Sequence, residues 1–101
     1  PVWLAPEQVR LLPLTEKQMQ YAGQIHEETA RKGFRVTIDR KSDRIGAKIR
    51  NARLARIPYM LILGPEEEEK RLVSVRSRDK GDEGGMALSE LLERLESENS
   101  P

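Results

Sequence analysis

The sequence predicts an α/β domain whose sheet is largely parallel. Residues 8–14 and 34–38 have the apolar patterns of strands and are separated by an amphipathic, helix-like segment. A second helical segment then leads from 34–38 into a continuous apolar run at 59–63. Two strand-helix-strand units in succession favour parallel strands with right-handed crossovers and helices packed on the faces of the sheet. Ligands usually bind such folds in the loops at the carboxyl ends of the strands.

The first helix can be placed from its two end signals. After the predicted strand 8–14, Thr15 and Gln18 have the spacing of a capping box. Gly33 is suited to the left-handed position that often follows a helix. These signals predict a helix over 16–32.

Positive charge is concentrated in the segment 40–56, which contains seven basic residues and one acid, Asp43. This local charge of +6 contrasts with a net charge of +1 for the whole chain. We expect a helix here with Ser42 as its N-cap and Pro58 ending it after Ile57. A focused cationic patch predicts a polyanionic partner, although a solvated helix that keeps the domain soluble has the same composition. The candidate phosphate contacts are Lys41, Arg44, Lys48 and Arg53.

The segment after the basic helix supplies a central strand and an edge hairpin. The apolar run 59–63 suits a strand covered on both faces. Residues 65–71, with four successive glutamates, are expected to form a solvated loop. Residues 72–78 alternate as a strand that projects Arg76 and Arg78 from the same side.

The C-terminal residues predict one more helix. Residues 79–85 have the composition of a turn-rich loop, and 86–88 could add a short strand. Ser89 is the expected cap of a helix whose leucines recur at i, i+3, i+4 and i+7. Residues 96–101 are expected to fray.

Composition limits the kinds of function that the chain can perform. Its 101 residues fit a single domain spanning 1–101, with a lead-in segment at 1–7 and a frayed tail at 97–101. There is no cysteine and only one histidine, His26, so a thiolate or His-rich metal site is excluded. No catalytic motif, membrane span or signal peptide is present, and we expect a cytoplasmic protein without enzymatic activity. The abrupt start without Met suggests a piece of a longer chain.

The order and spacing of several short motifs resemble one family along nearly the whole chain. The match is to the C-terminal anticodon-binding domain of class II aminoacyl-tRNA synthetases, and it is closest to the bacterial-type threonyl enzymes. The motifs are Trp3-Leu4-Ala5-Pro6-Glu7-Gln8-Val9, Gly33-Phe34-Arg35-Val36, Ile45-Gly46-Ala47-Lys48-Ile49-Arg50, Ile57-Pro58-Tyr59-Met60-Leu61, Val73-Ser74-Val75-Arg76 and Gly85-Met86.

The resemblance implies a three-layer α/β fold, with a five-stranded mixed sheet and three helices. It also implies that the partner is the anticodon loop of a tRNA, not DNA or a membrane. Unstacked loop bases expose edges that side chains can read, and arginine planes can stack on them. By motif position, the anticodon-binding residues are Arg76, Arg56, Glu67, Ser42 and Arg50.

The resemblance further implies that catalysis belongs to a domain absent from this chain. No cofactor is expected here, because ATP and zinc would be bound by that catalytic domain. We expect a monomer, whereas the parent enzyme would dimerise through its catalytic domain. The chain departs from the family at Ser42, where Asn is common, and at Lys41, where Arg is common.

Two other interpretations stay open at this point. One is the anticodon-binding module of another class II synthetase, or a stand-alone tRNA-binding paralogue. The other is a protein-interaction module that keeps the fold and docks an acidic partner on its basic face.

Overall fold

The computed structural model describes residues 1–99 as a five-stranded mixed sheet with helices on both faces. The spatial order of the strands is β2-β1-β3-β4-β5. The strands are β1 (Val9–Pro13), β2 (Val36–Ile38), β3 (Tyr59–Leu63), β4 (Val73–Ser77) and β5 (Gly81–Met86). The helices are α1 (Met19–Arg31), α2 (Ile45–Leu54), α3 (Pro65–Lys70) and α4 (Leu88–Glu98).

The sheet combines three parallel strands with two antiparallel ones. β1 pairs in parallel with both β2 and β3, and the crossovers contain α1 and α2. From β1 to β2 the chain moves one way across the sheet, and from β2 to β3 it moves the other way. Right-handed crossovers therefore place α1 and α2 on opposite faces. β4 and β5 are antiparallel to their neighbours, so the largely parallel sheet that we expected is limited to three strands.

Two apolar cores hold the three layers together. The larger core lies between the sheet and the helices α1 and α4, and it includes the fully buried Leu11, Leu61, Val75 and Leu91. The smaller core lies under α2, where Leu12, Ala52, Ile57 and Met60 form the buried cluster. The predicted five-stranded mixed sheet with three principal helices is confirmed, and α3 is an additional helix of six residues.

Helices α1, α2 and α3 end in the same kind of turn. In each, two successive amide N–H groups after the helix reach back to carbonyls of the last turn, the Schellman pattern. The residue in the left-handed conformation is Gly33 after α1, but it is Arg56 after α2 (φ 57°) and Arg71 after α3 (φ 56°). A non-glycine residue is strained there because its Cβ crowds the backbone.

The capping box of the first helix is confirmed, since the Thr15 amide and hydroxyl both donate to Gln18 Oε1 and the Lys17 amide donates to the Thr15 hydroxyl. The helical segment begins at Glu16 with a 3₁₀ turn and continues as α1.

Two segments that we predicted as loops are regular elements. Residues 65–71 contain α3, because Pro65 occupies its first position and three glutamates of the first turn favour the positive end of a helix. Residues 79–85 contain most of β5, which pairs with β4. Their glycine-rich composition has no apolar strand pattern from which this strand could be predicted.

The ends of α2 and α4 in the structure differ from those that we predicted. α2 begins at Ile45 after Arg44 and stops at Leu54, so Ser42 is not its N-cap. α4 begins at Leu88 without a side-chain cap from Ser89. It continues to Glu98 and so includes residues 96–98 of the predicted frayed tail, and residues 100 and 101 lie outside the described part of the chain.

None of the helices within residues 1–99 is long and apolar enough to cross a membrane.

Candidate nucleic-acid interface

Four arginines surround a cleft of about 280 Å³ beside the C-terminal end of α2. We call it the arginine cleft. Its lining consists of Arg53, Arg56, Ile57, Met60, Arg76, Ser77, Arg78 and Gly81.

The sheet register places Arg76 in this cleft. Arg76 is paired directly with Met60 of the neighbouring strand, and the side chains of paired residues point to the same face. Met60 and Ile57 belong to the core under α2, so this is the face on which that helix packs. The cleft consequently has an apolar floor and a cationic rim.

Arg78 forms hydrogen bonds with the turn that contains Arg56. Its amide donates to the Pro58 carbonyl at 2.8 Å, and its Nη1 donates to the Arg56 carbonyl at 3.1 Å. Both bonds connect the end of β4 to the turn between α2 and β3.

The lining of the arginine cleft contains four guanidinium groups and no carboxylate. Two acids lie just beyond it: Asp82 is 3.7 Å from Arg76, and Asp79 is 3.9 Å from Arg78. Such a site attracts an anionic ligand, and its apolar floor suits a flat ring more than a bare phosphate.

A second cleft of about 320 Å³, the Ser42 cleft, lies near the N-terminal end of α2, at the carboxyl ends of β1 and β2. It is lined by Leu14, Thr15, Glu16, Met19, Arg40, Lys41, Ser42, Asp43 and Lys48. Open α/β sheets commonly bind ligands in this position.

A third cleft of about 440 Å³ adjoins the Ser42 cleft and shares Arg40 and Lys41 with it. Arg10 in its wall is held by Glu7, which accepts from Arg10 Nε at 2.7 Å and from Nη2 at 2.9 Å. This hydrogen bonding lowers the pKa of Glu7 and raises that of Arg10, each against the opposing effect of burial.

Lys48 has a different environment from the other cations of the segment. It is 3% exposed, and its Nζ donates to the Pro13 carbonyl at 3.0 Å and to the Asp39 carbonyl at 3.4 Å. The structure therefore gives Lys48 a role in joining α2 to the ends of β1 and β2.

Glu67 is engaged at the start of α3. Its Oε1 accepts from the Gly64 amide at 2.8 Å and lies so close that a methyl group at Gly64 would approach it within 2.9 Å. The same hypothetical methyl group would lie 3.3 Å from Leu14, which lines the Ser42 cleft. Glu67 is thus near that cleft, with one carboxylate oxygen already used.

Six of the predicted binding residues lie in two groups. Arg53, Arg56 and Arg76 meet in the arginine cleft, and Lys41, Ser42 and Lys48 meet in the Ser42 cleft. Arg50 and Arg44 are exposed on α2 and just before it, and they line neither cleft.

Sequence reasoning missed Ile57 and Met60 as the floor of the arginine cleft and gave Arg78 no binding role. The alternation of residues 72–78 did place Arg78 on the same side as Arg76. Only the pairing of β4 with β3 shows which apolar side chains lie beneath them.

Within residues 1–99, no three His, Asp or Glu side chains are grouped closely enough to hold a metal ion.

Residues 8–98 match the model of the family described as "Anticodon binding domain". This match covers most of the chain. The chain belongs to the anticodon binding domain family.

Relatives of this anticodon binding domain include threonine–tRNA ligases. The enzyme from Clostridium perfringens is 47% identical over 95 residues, which is 94% of this chain and 15% of the relative. The enzyme from Clostridioides difficile is 47% identical over 98 residues, covering 97% of this chain and 15% of the relative. The chain thus spans about 15% of the length of these relatives.

Solved structures agree with the sequence matches. The RNA binding domain of threonyl-tRNA synthetase from Cryptosporidium parvum Iowa II superposes with a TM-score of 0.93 at 34% identity, covering 100% of this chain and 26% of that one. A prolyl-tRNA synthetase from Cryptosporidium parvum superposes with a TM-score of 0.87 at 27% identity, covering 98% and 23%. The resemblance to class II synthetase anticodon-binding domains, and to the threonyl enzymes among them, is confirmed.

Proposed function

We propose that this domain binds the anticodon loop of threonine tRNA through the face that carries α2 and β4. The observation that carries the proposal is the arginine cleft, where Arg53, Arg56, Arg76 and Arg78 surround an apolar floor without a carboxylate in the lining. Splayed loop bases present both a flat apolar face and polar edges, and the cleft offers a counterpart to each.

The arginine cleft and the Ser42 cleft lie at opposite ends of α2, which has ten residues and is therefore about 15 Å long. An RNA strand that follows the helix from one cleft to the other would pass Arg50, which is exposed between them. We assign base contacts to Arg76 and Arg56, backbone contacts to Arg53, Arg50 and Arg44, and contacts in the second cleft to Lys41 and Ser42.

Glu67 and Lys48 have narrower roles in this proposal. The second oxygen of Glu67 can accept from a guanine edge while Oε1 continues to cap α3. Lys48 holds the scaffold, because its ammonium group is buried against two carbonyls.

The strain at Arg56 supports a functional role for its side chain. Glycine is the residue that normally fills this left-handed position, as Gly33 does after α1. Arg71 occupies the equivalent position after α3, and its guanidinium lies 5.5 Å from the Tyr21 ring centre and donates to Gln24. Among residues 1–99, the guanidinium of Arg56 makes no such hydrogen bond, and it lines the arginine cleft instead.

We further infer that the domain acts as part of a longer, cytoplasmic threonine–tRNA ligase. Aminoacylation, with its ATP and zinc, would take place in regions outside these 101 residues. The isolated domain would be a monomer, and dimerisation would involve the catalytic part of the enzyme.

The test is a salt titration of binding to two anticodon stem-loops. One carries the threonine G and U at the second and third anticodon positions, and the other has both bases changed. The wild-type chain should prefer the first loop at every salt concentration. Arg76→Ala should reduce that preference by about 5- to 150-fold, the range that corresponds to one good base contact. The salt slope, which is the slope of the logarithm of the binding constant against the logarithm of the salt concentration, should change little.

Two control variants sharpen the result. Lys41→Ala should weaken both loops alike and reduce the salt slope by about one. Arg31→Ala removes an exposed charge from α1, on the opposite face of the sheet, and should alter neither quantity. If the wild type binds both loops equally, with a steep salt slope, the basic face binds RNA only through general electrostatic attraction and does not read the anticodon bases.

A further inference from the structure

A β-bulge next to the arginine cleft directs two consecutive acids, Asp82 and Glu83, to different partners. Arg76 of β4 is paired with Asp82, whereas Val75 is paired with Gly84, so Glu83 is the extra residue on β5. Bulges re-aim the side chains beside them and are common next to functional sites. Here the bulge gives Asp82 and Glu83 separate partners.

Glu83 anchors the bulge to α4. Its Oε1 accepts from Arg94 Nη1 at 2.7 Å, and the two side chains are only 14% and 27% exposed. This partly buried ion pair joins the extra residue of β5 to α4.

Asp82 is held on the other side of the bulge, opposite Arg76. Its Oδ1 accepts from the Gly84 amide at 2.9 Å, and its Oδ2 lies 3.7 Å from Arg76 Nη2. The distance is that of an ion pair without a hydrogen bond. Asp82 is 58% exposed and therefore accessible to solvent ions and ligands.

Arg76 is incompletely satisfied by this arrangement. Its Nε is buried and has no hydrogen-bond partner among residues 1–99. A buried donor without a partner costs free energy, so the contacts of Arg76 within the fold do not fully compensate its guanidinium.

We propose that Asp82 competes with RNA for Arg76 and thereby sets the specificity of the arginine cleft. This inference rests on the proposed function. A phosphate that approaches Arg76 is repelled by the carboxylate of Asp82, whereas a neutral base edge is not. Asp82 therefore weakens generic polyanion binding more than it weakens base readout.

The decisive variant is Asp82→Asn, which removes the charge while an amide oxygen can still accept from the Gly84 amide. Binding of the changed stem-loop should tighten by about 2- to 5-fold, the range expected for an exposed ion pair, and binding of the threonine stem-loop should tighten less. The preference between the two loops should fall accordingly.

Two comparisons isolate the pairing with Arg76. Asp79→Asn makes the same charge change beside Arg78, at the same rim, and should leave the preference unchanged. In an Arg76→Ala background, Asp82→Asn should lose its effect on the preference, since the group it competes for is gone. If Asp79→Asn matches Asp82→Asn, or if the effect survives in Arg76→Ala, Asp82 acts only as a general negative charge and the inference is wrong.

Failure of the proposed function looks different. In that case the wild-type chain does not prefer the threonine stem-loop, and both the proposed function and the inference about Asp82 are wrong. A wild type that shows the preference, together with an Asp82→Asn variant that leaves it unchanged, rejects the inference alone.

Discussion

The ammonium group of Lys48 donates to the carbonyl oxygen of Pro13 at 3.0 Å, across the boundary between α2 and the end of β1. A lysine in the middle of a basic surface helix is thereby part of the protein interior. The bond supplies a donor to the carbonyl of the last residue of β1. Charge composition alone would place this residue with the surface cations around it.

Replacing Lys48 should therefore destabilise the domain. Lys48→Met keeps a long, unbranched side chain but leaves the carbonyls of Pro13 and Asp39 without this donor. We expect the free energy of unfolding, measured in urea, to fall by about 1 to 3 kcal/mol. Arg44→Met, an exposed site just before α2, should change it by less than about 0.5 kcal/mol. Equal stabilities of the two variants would contradict the structural role of Lys48.

Arg56→Gly should stabilise the fold while it weakens RNA binding. Glycine relieves the strain of the left-handed turn, and we expect a gain of about 0.5 to 1 kcal/mol in unfolding free energy. Arg71→Gly relieves the same strain but loses the contacts with Tyr21 and Gln24, so its gain should be smaller. Thermal unfolding of both variants, with stem-loop binding measured alongside, checks this prediction. A less stable Arg56→Gly variant would show that the arginine side chain supports the fold.

The ion pair of Glu83 with Arg94 should make stability depend on acidic pH. Burial acts to raise the pKa of Glu83, but the Ser77 hydroxyl and the Arg94 guanidinium outweigh it, and the pKa is lowered. A lowered pKa in the folded state contributes stability above the unfolded value, about 4.3, and that contribution is lost as pH falls through the folded value.

Glu83→Gln tests this contribution directly. The variant should be less stable than the wild type near neutral pH, and the difference should shrink as the pH falls below about 4.3. Urea unfolding at a series of pH values gives the comparison, in which other carboxylates such as Glu7 cancel. A difference that is constant across the series would remove the electrostatic explanation and leave only a packing effect.

Arg35→Ala should release the lead-in segment. The Arg35 guanidinium donates to the Trp3 carbonyl at 2.9 Å and to the Ala5 carbonyl at 2.8 and 2.9 Å, which ties the 3₁₀ turn Val2–Leu4 to the start of β2. Trp3 is the only tryptophan, so its fluorescence reports on this segment alone. We expect greater quenching by acrylamide in Arg35→Ala, with little change in the unfolding midpoint. The exposed-site variant Arg31→Ala should quench like the wild type.

Local signals in the sequence were sufficient for the elements whose residues face a core. The capping box at Thr15 and Gln18 and the apolar run 59–63 each identify an element without reference to the rest of the chain. The clustering of cations at 40–56 likewise indicated the proposed interface, because charge needs no tertiary structure to be counted.

Elements without an apolar pattern were missed. β5 is rich in glycine and acids, and it becomes a strand only because β4 offers a free edge for its backbone to pair with. α3 buries none of its side chains, and it is specified by Pro65 and by the Glu67 cap rather than by hydrophobic periodicity.

The sequence by itself determined the order of the main elements, the basic segment and the resemblance to a synthetase anticodon-binding domain, since these depend on neighbours along the chain. Tertiary structure decided which cations are available for a ligand. Lys48 is buried by contact with β1, whereas Arg76 meets Arg56 in one cleft because β4 pairs with β3. It also decided that Asp82 faces Arg76 while Glu83 joins Arg94, because a one-residue bulge sets the register between two strands. Pairing across a sheet is a contact between distant residues, and no local pattern in either strand specifies it.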